Sequence, residues 1–168
     1  LLAPALQRLG EDGLRQQALA GGYRLCDWRE GGAQLAGQPV VQIAASGAMI
    51  PEACAAAAYL WQEGVAANVL NLTSPRLLFE AWRATHGQAH HSPLFDWLIP
   101  PAERKAPIIT VQDGSSHSLA WLGSVFGAPV TPLGVDEFGQ SGGRADLYRH
   151  FQIDWEAIAD AAFDAVEG

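Results

Sequence analysis

The sequence predicts an α/β fold, a three-layer α/β/α domain around a mostly parallel sheet of about five strands. Two observations predict it. From residue 39 onward, short β-branched apolar runs alternate with segments of helical spacing; such an alternation packs as a parallel sheet covered on both faces. The chain has 168 residues and is 49% hydrophobic but only 17% charged. That supports one domain with a buried core, since domains run roughly 100–200 residues.

Each element has a local reason. Residues 1–22 carry a weak helical pattern broken at Gly10, Gly13, Gly21 and Gly22. They read as a linker from a preceding domain, or as a helix packed on a missing neighbour, which leaves 23–168 as the domain proper. YRLCDW, 23–28, is short and strand-like, and GGAQLAG, 31–37, is a turn region. PVVQIAAS, 39–46, reads as a buried strand closed by Ser46-Gly47. Pro51 suits the first helical position and Glu52 the positive end of the helix dipole, so a helix runs from there to about Gln62 and stops at Gly64. VAANVLNL, 65–72, is the next strand, and Thr73-Ser74-Pro75 caps a helix from Arg76 that carries Leu77, Leu78, Phe79 and Trp82. Residues 86–104 read as a long loop with a short helical piece around 93–97. APIITVQD, 106–113, is a third strand of this series, followed by a helix over 116–125; APVTPLGV, 128–135, is a fourth. Asp154 caps a last helix in which Trp155, Ile158, Ala162 and Val166 recur at helical spacing.

Charge and composition exclude several function classes. With 10 Lys+Arg against 18 Asp+Glu the formal net charge is -8, which repels phosphate backbones and argues against a nucleic-acid partner. The most apolar run, Ala53 to Trp61, is about half the roughly 20 residues a spanning helix needs, so no membrane partner is expected. The start, LLAPALQRLGEDGLRQQ, lacks the pattern of a secretory signal. A first residue that is Leu rather than Met suggests a piece of a longer chain. Cys26 and Cys54 have no metal-type spacing; they admit a disulfide, but a reduced, cytoplasmic setting is the expectation.

Four stretches hold the residues that could carry chemistry. Ser46-Gly47-Ala48 lies at a strand-to-helix turn, where doubly wound folds hold phosphates. It lacks GxGxxG and a P-loop lysine and reads as a tight turn. His86, His90 and His91 have an i, i+4 pair, but Gly87 breaks the helix and no Cys, Asp or Glu joins them, so they read as exposed loop. In Asp113-Gly114-Ser115-Ser116-His117 the Gly-x-Ser-x-Gly elbow is absent; capping by Ser115 or Ser116, with His117 at the domain edge, is the simpler reading. The fourth stretch is GVDEFGQSGGRADLYRHF, 134–151. There Phe138 reads as an anchor, Ser141 as the cap of a short helix, and Asp146 as a partner for Arg149 or His150, with Tyr148 and Phe151 facing inward. No catalytic, cofactor-binding or metal residue is assigned. His117, Asp136, Phe138, Ser141, Arg144 and His150 are assigned to structure or to an interface around a bend.

IAASGAMIPEACAAAAYLWQEGVAANVLNLTSPRLL, 43–78, resembles the strand–helix–strand of the C-terminal domain of transketolase-like thiamine-diphosphate enzymes. GVDEFGQSGGRADLYRHFQID, 134–154, resembles the end of the homodimeric pyruvate dehydrogenase first component, and GGYRL, 21–25, resembles the start of that domain. The resemblance covers roughly 21–168, while His90-His91 and Gly114-Ser115-Ser116-His117 depart from it. It implies the C-terminal, dimer-organising domain of a 2-oxo acid dehydrogenase. Thiamine diphosphate and magnesium would sit on preceding domains, with none bound by this one, because the Gly-Asp-Gly with downstream Asn-Asn is missing. It also implies a homodimer, through segments bearing Trp82, Trp97 and Trp121, and a lipoyl acyltransferase as partner of the parent. The alternatives are a transketolase-type ketol transferase and a stand-alone binding or dimerisation module.

Overall fold

The computed structural model describes residues 1–85 and 92–167; the expectations for His86, His90 and His91 lie outside them. Five strands form one sheet: β1 (Tyr23–Cys26), β2 (Val40–Ala45), β3 (Ala66–Asn71), β4 (Ile108–Val111) and β5 (Val130–Leu133), in the order β1-β3-β2-β4-β5. All neighbours are parallel except the edge strand β1, which runs antiparallel to β3. The helices are α1 (Ala3–Ala20), α2 (Ile50–Gln62), α3 (Pro75–Thr85), α4 (Pro93–Leu98), α5 (Leu122–Phe126), α6 (Arg144–His150) and α7 (Trp155–Glu167).

Alternation along the strands makes two cores. Val41, Ile43, Ala45, Ala67, Val69, Ile109 and Val111 face one side, where α1, α2 and α7 cover them. Ala44, Leu70 and Ile108 face the other, under α3, α4 and α5. Ala53, Ala56 and Ala57 of α2 are fully buried, so small side chains let this helix lie close to the sheet. Glu52 at its start also accepts the Trp155 N–H at 3.1 Å, capping α7 from across the core. Asp154 accepts from the Ala157 N–H in the same turn.

Two elements differ from expectation. Residues 3–20 are helical, kinked at Gly10 where φ is 69°. This helix packs on the domain's own first core through Ala5, Leu9, Leu14 and Ala18. Arg8 ties it to Glu30 and to the carbonyl of Arg24. The helix expected over 116–125 is split into a 3-10 turn, Ser116–Leu119, and α5. Serines compete with the helical backbone, and here the first free N–H is taken by a carboxylate from another loop (below).

A buried polar network closes one end of the sheet. Gln42 and Asn68 are paired neighbours on β2 and β3, and both side chains are fully buried. Asn68 donates to Gln42 Oε1 at 3.1 Å and to Glu103 Oε2 at 3.2 Å. Arg24 donates to Glu103 at 2.7 Å, to Asp27 at 3.0 Å and to the Leu98 carbonyl at 3.0 Å. Arg29 reaches Asp27 and Glu103 from the surface. Burial pushes both carboxyls up, but the Arg29 backbone N–H and the guanidinium groups at Asp27, and the Arg24 and Arg29 guanidinium groups at Glu103, outweigh it and hold both below the usual carboxylate range.

Candidate functional site

In parallel sheets ligands gather at the carboxyl ends of the strands, where successive connections leave in opposite directions. Here β2 leads through α2 to β3 on one side of it, while β4 lies on its other side. The loops after β2, β4 and β5 therefore hold the candidate site. Ser46 extends from β2 into a 3-10 turn at Gly47–Met49, with no side-chain cap.

The loops after β4 and β5 interlock. Val135 N–H donates to the Gly114 carbonyl at 2.8 Å. Asp136 Oδ1 accepts from the Ser116 N–H and from the Ser115 hydroxyl, both at 2.9 Å. Ser115 Oγ also lies 2.8 Å from His117 Nδ1. The Ser116 hydrogen bond, with that from Ser115, holds the Asp136 carboxyl below its ordinary range. A Cβ on Gly134 would sit 2.5 Å from the Gly114 carbonyl oxygen and 2.6 Å from the Ser116 nitrogen, so only glycine allows this approach. Asp136 thus caps the 3-10 turn that Ser115 or Ser116 was expected to cap.

Serine, histidine and aspartate meet here in the wrong order for a nucleophile. A working relay places histidine between the other two. The Ser115 hydroxyl has one proton and gives it to Asp136, so His117 Nδ1 must be the N–H that donates to Ser115. In that arrangement the histidine is not the base for the serine proton. The arrangement fixes two loops instead.

The other expected residues are spread around this lock. His150 accepts from the Gln140 side-chain amide at 3.2 Å and packs edge-on against Phe151, with ring centroids 4.8 Å apart. His150 and Asp136 line one cleft of about 230 Å³. Arg144 stands apart, 5.7 Å over the Tyr148 ring, on a second cleft shared with Glu52, Arg149 and Asp154. Tyr148 and Phe151 pack inward on the first core. Three expectations are corrected. Phe138 is 96% exposed and anchors nothing within the domain. Ser141 is exposed and caps no helix; Gly143 holds the N-cap position of α6. Asp146 forms no ion pair with Arg149 or His150 among the described residues; the seven-residue helix leaves all three in solvent.

Beside His117 the surface is aromatic. Trp82 and Trp121 stack with centroids 5.8 Å apart, and Phe79 meets the Trp121 ring edge-on at 5.2 Å. Pro75, Arg76, Phe79, His117 and Trp121 line a groove of about 400 Å³. Trp97, like Trp82 and Trp121, is half-buried against the second core. Sequence reasoning missed the Glu103 network. Its signal was two amides, Gln42 and Asn68, inside apolar strands, which need buried partners.

A family model described as transketolase-like TK C-terminal domain matches residues 21–154. Over 124 residues, 74% of the chain, the sequence is 31% identical to the plasmid transketolase of Cupriavidus necator, of which it spans 16%. Among solved structures it is similar to a transketolase from Pichia stipitis in complex with fructose 6-phosphate, at TM-score 0.63 and 22% identity over 90% of this chain and 19% of that one. A transketolase from Leishmania mexicana is similar at TM-score 0.62 and 20% identity, over 93% of this chain and 19% of that one. A split-gene transketolase described as an inactive beta4 tetramer is similar at 0.57 and 21%, over 88% of this chain and 43% of that one. These findings favour the transketolase-type alternative over the pyruvate dehydrogenase expectation.

Proposed function

The chain belongs to the transketolase-like C-terminal domain family, and from that premise we propose that it is the C-terminal, subunit-organising domain of a thiamine-diphosphate-dependent ketol transferase. The match over residues 21–154 carries the reading, and the likeness to the plasmid transketolase supports the choice of chemistry. The parent enzyme would move a two-carbon ketol unit between sugars, with the cofactor supplying the carbanion chemistry when bound. A lipoyl acyltransferase partner has no place in this reading.

In this reading no described residue is assigned to the cofactor. Magnesium held on a diphosphate needs several oxygen ligands brought together. Among the described residues no three His, Cys, Asp or Glu converge as a metal set, and Asp136 is already engaged by Ser115 and Ser116. The reading therefore puts the cofactor on preceding domains of a longer, cytoplasmic protein. Among the described residues no helix is long and apolar enough to cross a membrane.

What this domain contributes is surface. The Ser115–Asp136 lock holds two loops rigid, one presenting Phe138 and the other bordering the Phe79–Trp121 groove. Aromatic residues are enriched where subunits meet. The beta4 tetramer of the split-gene transketolase supports self-association of chains carrying such a domain. The test is ketol transfer by the full-length protein from a ketose phosphate to an aldose phosphate. Turnover that requires thiamine diphosphate and magnesium is expected; no transfer with cofactor bound would sink the reading.

A further inference from the structure

We propose that Cys26 and Cys54 form a reversible oxidation site, at which hydrogen peroxide converts the two thiols into a disulfide that staples the edge strand β1 to helix α2. The two sulfurs lie 3.7 Å apart although the residues are 28 positions apart in sequence. Both are free and half-buried. A disulfide needs the sulfurs to close from this contact to about 2.05 Å. The backbone can follow. Cys26 ends an edge strand, at a register irregularity between Arg24 and Cys26, where the ladder is already interrupted.

The two thiols are not equivalent. Cys54 lies one turn inside α2 and Cys26 ends β1. The Cys26 S–H hydrogen bond lowers the Cys54 thiol from its ordinary value, while the same contact, burial and the charge of Glu30 push Cys26 up. Cys54 is therefore the attacking thiolate and Cys26 the resolving thiol. In the first step the Cys54 thiolate attacks one peroxide oxygen, the O–O bond breaks, and the leaving hydroxide takes a proton to become water. The product is a sulfenic acid at Cys54. In the second step the Cys26 sulfur displaces that hydroxyl, the S–S bond forms, and the Cys26 proton leaves with it as a second water. Two thiols lose two electrons and one peroxide gains them. A reducing thiol pool returns the pair to its free form, so the site fits a cytoplasmic setting as a transient modification. It is independent of the ketol-transfer reading.

The experiment treats the native protein with hydrogen peroxide, blocks remaining thiols by alkylation, and maps peptides by mass spectrometry. The expected result is loss of alkylation at both cysteines, with one cross-linked peptide pair containing Cys26 and Cys54. The pair is lost on reduction, and it is absent when the chain is unfolded in urea before oxidation. Cys26→Ser should leave a sulfenic acid at Cys54 that a 1,3-dione captures, whereas Cys54→Ser should leave Cys26 unlabelled. Full alkylation of both thiols after peroxide would overturn the proposal. So would bridges only between chains, or equal bridging in urea.

Discussion

Replacing Glu103 with alanine is the sharpest test of what holds the sheet end together. The Glu103 side chain is only 8% exposed, and its Arg24 partner 6%. Glu103 accepts from Arg24 at 2.7 Å, from Arg29 at 2.9 Å and from Asn68 at 3.2 Å, with longer contacts from Gln42 and Trp28 at 3.4 Å. Alanine leaves a buried guanidinium with Asp27 as its one carboxylate partner beside the Leu98 carbonyl, and strips Asn68 of an acceptor. Breaking a buried ion pair from one side costs about 3–5 kcal/mol. Urea unfolding followed by tryptophan fluorescence reads this as a midpoint lowered by roughly 1.5–2.5 M, for a slope of about 2 kcal/mol/M. The control is Arg29→Ala. That side chain is 56% exposed, so its loss costs about 1 kcal/mol or less. Equal, small shifts for both variants would refute the claim that the buried Arg24–Glu103 contact carries the stability.

Further predictions concern the same network and the loop lock. The carboxyls of Asp27 and Glu103 are held low in the folded chain. Their stabilisation is therefore present above the unfolded-state range near pH 4 and lost as pH falls through the lower folded values. Urea midpoints should drop more steeply below about pH 4 in the native protein than in Glu103→Ala; parallel curves would contradict this. Gly134→Ala puts a Cβ against backbone at 2.5 Å and should cost about 1–3 kcal/mol; an unchanged urea midpoint would show that the two loops do not meet as described. Phe138→Ala, at a side chain 96% exposed, should change folding stability by less than about 0.5 kcal/mol. In sedimentation of the full-length protein the same change should weaken self-association, and an unchanged dimerisation constant would remove Phe138 from the interface.

Most of the fold was legible because the local signals agreed. PVVQIAAS and APIITVQD are apolar and β-branched, and Pro51-Glu52 opens a helix of buried alanines; each became the expected element. Residues 1–22 were harder. Glycines at 10 and 13 weaken the helical pattern, and tertiary packing of Ala5, Leu9, Leu14 and Ala18 with the Arg8 contacts makes it a packed helix. Of the residues assigned to a bend or interface, Asp136 and His117 share the Ser115 lock, while Arg144 lies on another cleft. Spacing in sequence cannot show that Asp136 caps a turn 20 positions earlier. Glu103 was invisible for the same reason: Arg24 is 79 residues away, and a lone glutamate before Arg104-Lys105 looks like surface.

The most direct measurement is the ratio of kcat/KM values of the full-length protein, loaded with thiamine diphosphate and magnesium, for a ketose phosphate donor against pyruvate. The account predicts ketol transfer to an aldose phosphate with pyruvate decarboxylated at background rate. Efficient pyruvate decarboxylation without ketol transfer would contradict it.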